Sequence, residues 1–186
     1  MTDNSSDSNL TSIRPLPTDT VHRVICHECK PLHAEIIQNM FKLLDDPCTK
    51  KSHLFNERYE NIYIKEEHIP AIKPVLQMIL HESAKLLNDQ TDNLQMAFWF
   101  NVMQKNDVTL PHRHDDDDEL LSGTYYLQIP EQSGSLKITL SPDSTIIITP
   151  EEAALTCFHP TVIHEVTQHH SPVSRISIGF NVGRKK

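Results

Sequence analysis

Two stretches in the first half of the chain repeat apolar residues at steps of three and four, which is the spacing of one face of a helix. The first extends from Pro31 to Leu44, and its stripe comprises Ile36, Ile37, Met40, Phe41 and Leu44. The second covers residues 69–87, where Pro74 is tolerable only in the first turn. Its stripe comprises Ile72, Val75, Leu76, Ile79, Leu80, Ala84 and Leu87. We expect both helices to pack against one side of a sheet.

After residue 90 the pattern changes to short runs rich in β-branched and aromatic residues, separated by Pro, Gly, Asp and Ser. These runs are MAFWFNVM, TYYLQI, GSLKITL, STIIITP, AALTCFH and SRISIGFNV. Such spacing is typical of an antiparallel sandwich or barrel, and no alternation of strands and helices competes with it. We therefore predict an α+β fold in which a helical layer (about residues 21–90) supports a β core (about residues 91–183).

The chain is expected to form a single domain over residues 21–186. Residues 1–20 begin with the polar stretch MTDNSSDSNLTS, which has little apolar surface to bury, so a flexible tail is predicted there. The remaining residues are numerous enough to enclose one hydrophobic core.

The charge, the apolar runs and the cysteine content limit which partners and which cellular location are expected. The net charge is −8 and no stripe of Lys and Arg is present, so nucleic acid and anionic membrane surfaces are not expected as partners. The apolar runs are shorter than the roughly 20 residues that a transmembrane helix requires. Four cysteines without regular spacing and the lack of a secretion signal at the first residues indicate a reducing, cytoplasmic location.

His112 and His114 follow an extended segment, where residues two positions apart point to the same side. Their imidazoles are therefore able to converge on one metal ion. A third ligand must come from another part of the fold, and the C-terminal stretch offers His159, His164, His169 and His170. His164 is the preferred candidate because it is embedded in the apolar segment TVIHEV, where a buried imidazole needs a polar partner. The pair His169-His170 precedes Ser171-Pro172 and is predicted to form a solvated turn.

Arg175 and Ser177 alternate on the apolar strand SRISIGFNV, so their side chains share one face. An arginine inside an apolar strand requires an anion, and its planar guanidinium pairs with a carboxylate through two hydrogen bonds. Ser177 is able to donate a further hydrogen bond to the same group. A metal together with an internal arginine indicates a pocket for a small acid.

The segments PHRHDDDDELLSGTYYLQIP and HEVTQHHSPVSRISIGFNV resemble the iron(II)- and 2-oxoglutarate-dependent oxygenases, in particular a group of small oxygenases in that superfamily. The resemblance covers roughly residues 98–182. It implies a double-stranded β-helix, which is a jelly-roll, cupin-like fold, with Fe(II) and 2-oxoglutarate as cofactors. It also implies that His112 and His164 bind iron, and that Arg175 and Ser177 bind the remote carboxylate of 2-oxoglutarate. By the same resemblance Tyr126 supports that carboxylate and Asn101 contacts the cosubstrate.

The second iron ligand has two alternatives. The direct alignment places His114 where most of the superfamily has Asp or Glu, which gives a site of His112, His114 and His164. If the pair shifts by two positions, His114 and Asp116 become the ligands and His112 supports them. Pro111 directly before His112 favours the first alternative. The open-sided arrangement of two histidines and one carboxylate, usual for non-haem iron, favours the second.

The resemblance implies hydroxylation of a small molecule or peptide, with release of succinate and CO2. One alternative is a three-histidine cupin-type dioxygenase that does not use 2-oxoglutarate. Another is a non-catalytic β-barrel that binds a small acid or a metal. The exposed helical layer would allow a homodimer.

Overall fold

The computed structural model describes residues 15–114 and 118–186. The helices in these ranges are α1 (His33–Leu43) and α2 (Lys73–Leu87). The strands are β1 (Val21–Ile25), β2 (Lys50–Phe55), β3 (Arg58–Tyr63), β4 (Leu94–Met103), β5 (Thr109–His112), β6 (Glu119–Gln128), β7 (Leu136–Ser141), β8 (Ser144–Ile148), β9 (Ala154–Phe158), β10 (Ile163–Val166) and β11 (Arg175–Arg184). Both predicted helices and the predicted C-terminal strands are present, so the α+β prediction is confirmed.

The strands form two antiparallel sheets. The main sheet has seven strands in the order β1-β9-β6-β11-β4-β3-β2, and the small sheet has four in the order β5-β10-β7-β8. Strand β11 pairs along its length with β4 on one side and β6 on the other. The two sheets touch where Phe158 of β9 packs against Leu136 and Ile138 of β7.

The residues of β11 alternate between two environments, because successive side chains of a strand point to opposite faces. Ile176, Ile178, Phe180 and Val182 are fully buried in the core on the helical side of the main sheet. The residues between them, Arg175, Ser177, Gly179 and Asn181, line a cavity on the other side. One strand thus supports the core and the cavity at once.

The two helices cover the core side of the main sheet. In α1, Ile36 and Met40 are fully buried, whereas Phe41 remains 43% exposed, so the predicted stripe is too wide on that flank. In α2, Pro74 lies in the first turn as expected, and the helix ends at Asn88 in the left-handed conformation. The N–H of Asn88 caps carbonyls of the last turn.

The first ninety residues also contain strands that the apolar pattern does not predict. Strand β1 pairs with β9, and the hairpin β2–β3 extends the main sheet beyond β4. The predicted helical layer over residues 21–90 is therefore incomplete, since this region contributes three strands besides the two helices.

The last residues of the predicted tail lie within the described part of the chain. Leu16 is buried, and its N–H donates to the carbonyl of Leu120. The prediction of a flexible tail reaching residue 20 is therefore wrong for Leu16; residues 1–14 lie outside the described ranges. Among the described residues, the helices are too short and too polar to cross a bilayer.

Candidate metal and anion site

A cavity of about 470 Å³ lies between the two sheets. The small sheet contributes His112 and His164 to its wall, and the main sheet contributes Trp99, Asn101, Arg175 and Ser177. Volumes of 300 to 1,000 Å³ (roughly) are typical of small-molecule sites. The cavity therefore contains most of the predicted site residues on its surface.

His112 and His164 are brought together by strand pairing. They lie directly opposite each other in the register of β5 and β10, and their ring centroids are 4.2 Å apart. The Nδ1 of His112 lies 2.9 Å from the carbonyl of Leu110, and the Nδ1 of His164 lies 3.1 Å from the carbonyl of Val162. Because a carbonyl only accepts, each Nδ1 carries the proton and each Nε2 presents a lone pair.

His114 completes a cluster of three imidazoles. One ring nitrogen from each of His112, His114 and His164 lies within 4.8 Å of the other two. The loop after β5 is fixed where the N–H of His114 donates to the carbonyl of Pro160 at 2.9 Å. Converging imidazole nitrogens are suitable ligands for a divalent transition metal.

Burial keeps His164 neutral. Desolvation, assisted by the neighbouring His112, lowers the pKa of His164 to about 3. Since only the neutral ring binds a metal, this residue is ready to act as a ligand at neutral pH. His112 lines the same cavity and is exposed to solvent.

Asp116 lies outside the described residues. The choice between His114 and Asp116 as the second ligand therefore stays a prediction. The geometry of the described residues provides three imidazoles with or without that carboxylate.

Arg175 is a buried cation that lacks an acidic partner among the described residues. Its side chain is 1% exposed, and its Nη1 donates to Ser177 Oγ at 3.1 Å. Within the described ranges its Nε has no hydrogen-bond partner. Burial lowers the pKa of the guanidinium, but an arginine remains protonated in proteins. An anion entering the cavity would therefore find an unneutralised positive charge.

Tyr126 lies beneath Arg175, with the guanidinium carbon 5.1 Å from the centre of the tyrosine ring. The hydroxyl of Tyr126 is buried and has no hydrogen-bond partner in the described part of the chain. Burial raises the pKa of Tyr126, and the charge of Arg175 opposes that rise. Tyr126 thus contacts the guanidinium, whereas Arg175 and Ser177 line the cavity.

Asn101 lines the cavity beside Ser177, its partner in the strand register. Its Nδ2 donates to the carbonyl of Glu60 at 2.9 Å, and its Oδ1 accepts from Arg58 at 3.4 Å. The amide is therefore engaged by β3 and forms a fixed part of the wall.

Several polar residues near the cavity are not predicted by the sequence pattern. Arg58 forms ion pairs with Glu60 at 2.8 Å and Asp107 at 3.4 Å, and Asn181 lies beside His114. No local motif marks these residues, because their contacts join strands far apart in the chain. One signal in the sequence could have indicated Asn181: it lies an even number of positions from Arg175 and Ser177, so all three side chains share one face of the strand.

His169 is not in a solvated turn, and that prediction is wrong. The residue is fully buried, and its Nε2 bonds to the carbonyl of Val173 at 2.8 Å. Its backbone bonds with Asn106 and Asp107 fix the loop between β4 and β5. His169 lies outside the cluster of three imidazoles and outside the lining of the cavity.

No protein-family model and no curated protein matches the sequence. Solved structures do match. A prolyl-4-hydroxylase from Pseudomonas putida has a TM-score of 0.70 and 15% identity, over 89% of this chain and 92% of that chain. A 2OG-Fe(II) oxygenase family protein from Burkholderia pseudomallei has a TM-score of 0.62 and 13% identity, over 89% and 84%.

A third similar structure is a prolyl hydroxylase in complex with a hypoxia inducible factor peptide fragment, from Trichoplax adhaerens. Its TM-score is 0.64 at 15% identity, over 88% of this chain and 83% of that chain. The predicted double-stranded β-helix is confirmed by these similarities. The chain therefore has the fold of the solved 2OG-Fe(II) oxygenases and prolyl hydroxylases.

Proposed function

We propose that this protein is an Fe(II)- and 2-oxoglutarate-dependent dioxygenase that hydroxylates its substrate with release of succinate and CO2. The observation that carries the proposal is the presence of two complementary features in one cavity. A cluster of three imidazoles offers ligands for a metal, and the buried Arg175 offers a charge for a carboxylate. 2-Oxoglutarate needs both, because it binds a metal at one end and carries a free carboxylate at the other.

The metal ligands in this proposal are His112 and His164 together with His114, with Asp116 as the alternative to one of the pair His112 and His114. The protons on Nδ1 of His112 and His164 leave Nε2 available for the ion. When bound, iron and 2-oxoglutarate supply the oxidation of a C–H bond by molecular oxygen. The protein supplies the geometry and the polarity of the cavity.

Arg175 and Ser177 would hold the remote carboxylate of 2-oxoglutarate. Ser177 Oγ is already within hydrogen-bond distance of the guanidinium, so one anion is able to contact both. Tyr126 packs against the guanidinium and limits its movement, and Asn101 closes the wall beside Ser177. These residues bind and orient the cosubstrate, and they take no part in proton transfer.

The substrate is proposed to be a small molecule or a peptide. A similar structure, an epimerase, is described in complex with Fe3+, alpha ketoglutarate and nogalamycin RO, and another holds a peptide fragment. In this chain the lining of the cavity includes Tyr63, Trp99 and His53, which offer aromatic surface and hydrogen-bonding groups. Both substrate classes fit such a surface.

The test is the formation of succinate from 2-oxoglutarate by the purified protein with Fe(II) and oxygen, against panels of peptides and small molecules. We expect turnover that needs both cofactors and that is lost in His112→Ala and His164→Ala. The exposed His170 provides a matched control, since His170→Ala removes an imidazole outside the cavity.

Two results would favour other functions. Oxygen uptake that does not need 2-oxoglutarate would indicate a cupin-type dioxygenase that binds its substrate to the metal. Tight binding of metal and 2-oxoglutarate without succinate formation, for every substrate tested, would indicate a non-catalytic binding protein.

A further inference from the structure

Trp99 lies across a glycine of the neighbouring strand. It is the only tryptophan of the chain, it lines the cavity from β4, and it faces Gly179 in the register of β4 and β11. A Cβ at Gly179 would lie 2.6 Å from the indole nitrogen Nε1. Glycine weakens the interior of a strand because it has no side chain to pack. Strand β11 thus lacks a side chain at the place where the indole lies.

The indole N–H of Trp99 has no hydrogen-bond acceptor among the residues that the structure describes. Tryptophan N–H groups usually have a hydrogen-bond partner when the ring is buried. Trp99 is partly buried, and its nitrogen remains accessible to solvent. This donor is therefore available to a molecule bound in the cavity.

Trp99 lies closer to the imidazole cluster than the anion site does. Gly179, which faces it, is two residues beyond Ser177 on β11, a distance of about 7 Å along the strand. The ring centroids of Trp99 and His114 are 5.9 Å apart. In the proposed oxygenase the substrate lies beside the metal, whereas the remote carboxylate of 2-oxoglutarate lies at Arg175. The position of the indole therefore suits a contact with the substrate.

The charges and rings near Trp99 favour a neutral group as its partner. Glu60 is the only acidic side chain of the cavity lining in the described ranges, and its carboxylate is paired with Arg58 at 2.8 Å. A cationic substrate group would therefore lack a free carboxylate on this lining. The ring of Tyr63 lies 6.4 Å from that of Trp99, so the two form an aromatic surface.

We infer that Trp99 is a substrate-binding residue whose indole N–H donates a hydrogen bond to a neutral carbonyl group of the substrate. The inference rests on the proposed function, since it takes the molecule beside the imidazole cluster to be the substrate. An N–H donor selects for an acceptor, because a substrate without one leaves this polar group unpaired in the closed complex. The rings of Trp99 and Tyr63 offer surface for the apolar part next to the carbonyl.

The test uses the single tryptophan as a reporter in nuclear magnetic resonance. Protein with isotope-labelled tryptophan gives one indole N–H signal, and this signal moves downfield when the proton enters a hydrogen bond. The protein is loaded with 2-oxoglutarate and with Zn(II), which is diamagnetic and does not start turnover. The probe is 2-pyrrolidinone, a cyclic amide with a neutral carbonyl. Cyclopentane has a ring of the same size without an acceptor and is the matched control.

We expect 2-pyrrolidinone to cause a saturable downfield shift of the indole N–H signal, and cyclopentane to cause none. No shift with 2-pyrrolidinone, or an equal shift with both probes, would overturn the inference.

Trp99→Phe keeps an aromatic ring and removes the donor. We expect the Fe(II)-loaded variant to bind 2-oxoglutarate within about twofold of the wild-type affinity, since no hydrogen bond to the cosubstrate is lost. A much weaker affinity in the folded variant would assign the N–H to 2-oxoglutarate and overturn the inference. Wild-type protein that binds neither metal nor 2-oxoglutarate would contradict the proposed function instead.

Discussion

Two arginines near the cavity have opposite surroundings. Arg58 is paired with the carboxylates of Glu60 and Asp107, whereas the hydrogen bonds of Arg175 within residues 15–114 and 118–186 go to Ser177 Oγ and the sulfur of Met103, and none goes to a carboxylate. A charge without a counter-ion is unfavourable in a buried place. We interpret Arg175 as a residue that lowers the stability of the ligand-free protein and is compensated when an anion binds.

Replacing Arg175 by Leu should therefore have opposite effects on binding and stability. We expect 2-oxoglutarate binding by the metal-loaded protein to weaken by about 2–5 kcal/mol, because the carboxylate loses a buried charged partner. The ligand-free variant should melt at a higher temperature than the wild type, since a buried unpaired charge is removed. Calorimetric titration and thermal unfolding measure the two effects.

Arg58→Leu is the matched control. It leaves Glu60 and Asp107 without their cation, so the free energy of unfolding should fall by about 1–3 kcal/mol. If Arg175→Leu were destabilised to a similar degree and retained its affinity for 2-oxoglutarate, Arg175 would be a structural residue and the anion site would be wrong.

The site residues that could be predicted are those whose partners lie in the same short segment of sequence. His112 and His114 are two positions apart, and so are Arg175 and Ser177, which places each pair on one side of a strand. Asn181 and Arg58 act through contacts between distant strands. Pairing between such strands is a tertiary feature, and a single sequence does not specify which residues it brings together.

At the scale of elements, the hairpin β2–β3 shows why part of the fold could not be predicted. Of its residues only Ile62 is buried, and Leu54 and Tyr59 are more than 40% exposed. A hairpin at the sheet edge with little buried surface lacks the alternation by which strands are recognised. The C-terminal strands were predictable because each buries a continuous apolar face.

Two glycines in neighbouring strands leave room for aromatic rings. A Cβ at Gly123 would lie 2.4 Å from the ring of Phe180 and 2.5 Å from the carbonyl oxygen of Thr156. A Cβ at Gly179 would lie 2.6 Å from the indole of Trp99. Phe180 is fully buried in the core, whereas Trp99 lines the cavity and is only partly buried.

Gly123→Ala and Gly179→Ala should therefore affect different properties. We expect Gly123→Ala to lower the free energy of unfolding by about 1–3 kcal/mol, because neither Phe180 nor the backbone is able to move freely. Gly179→Ala should be less destabilising and should shift the fluorescence of Trp99, since the indole is able to move into the cavity. Urea unfolding and emission spectra distinguish them; equal destabilisation with unchanged fluorescence would contradict this placement of Trp99.

Helix α1 is joined to the main sheet by a buried polar contact. His33 Nε2 lies 2.8 Å from the hydroxyl of Tyr125, which is the side-chain hydrogen bond that links the two elements. Desolvation is the main cause that lowers the pKa of His33 below its usual 6.5. As the pH falls below about 6.5, His33 of the unfolded chain binds a proton, whereas His33 of the folded protein stays neutral. The free energy of unfolding therefore decreases in acid.

His33→Gln should reduce this loss of stability in acid. Between pH 7 and pH 5 we expect the decrease in the free energy of unfolding to be smaller than in the wild type by about 1 kcal/mol. Urea unfolding of the metal-free protein at both pH values measures it. His27 is exposed on the segment before α1, so His27→Gln should retain the wild-type decrease; the same decrease in His33→Gln would contradict the effect of burial.

In the whole molecule, the two faces of the main sheet have different roles. One face packs the hydrophobic core, and the other lines the cavity. Its helical face holds the core, and its other face carries Arg175, Ser177 and Asn181 against the histidines of the small sheet. The alternation of β11 makes this separation possible, and it explains how an apolar strand accommodates an arginine. A homodimer and a cytoplasmic location stay predictions.

The proposed oxygenase must bind iron and 2-oxoglutarate together in one cavity. An anaerobic titration of the Fe(II)-loaded protein with 2-oxoglutarate measures this by the weak visible charge-transfer band that a chelated 2-oxo acid gives on iron(II). We predict a saturable band in the wild type and a much higher half-saturating concentration in Arg175→Leu. Folded wild-type protein that binds Fe(II) but gives no band would contradict the proposed function, and a titration that is identical in Arg175→Leu would contradict the proposed anion site.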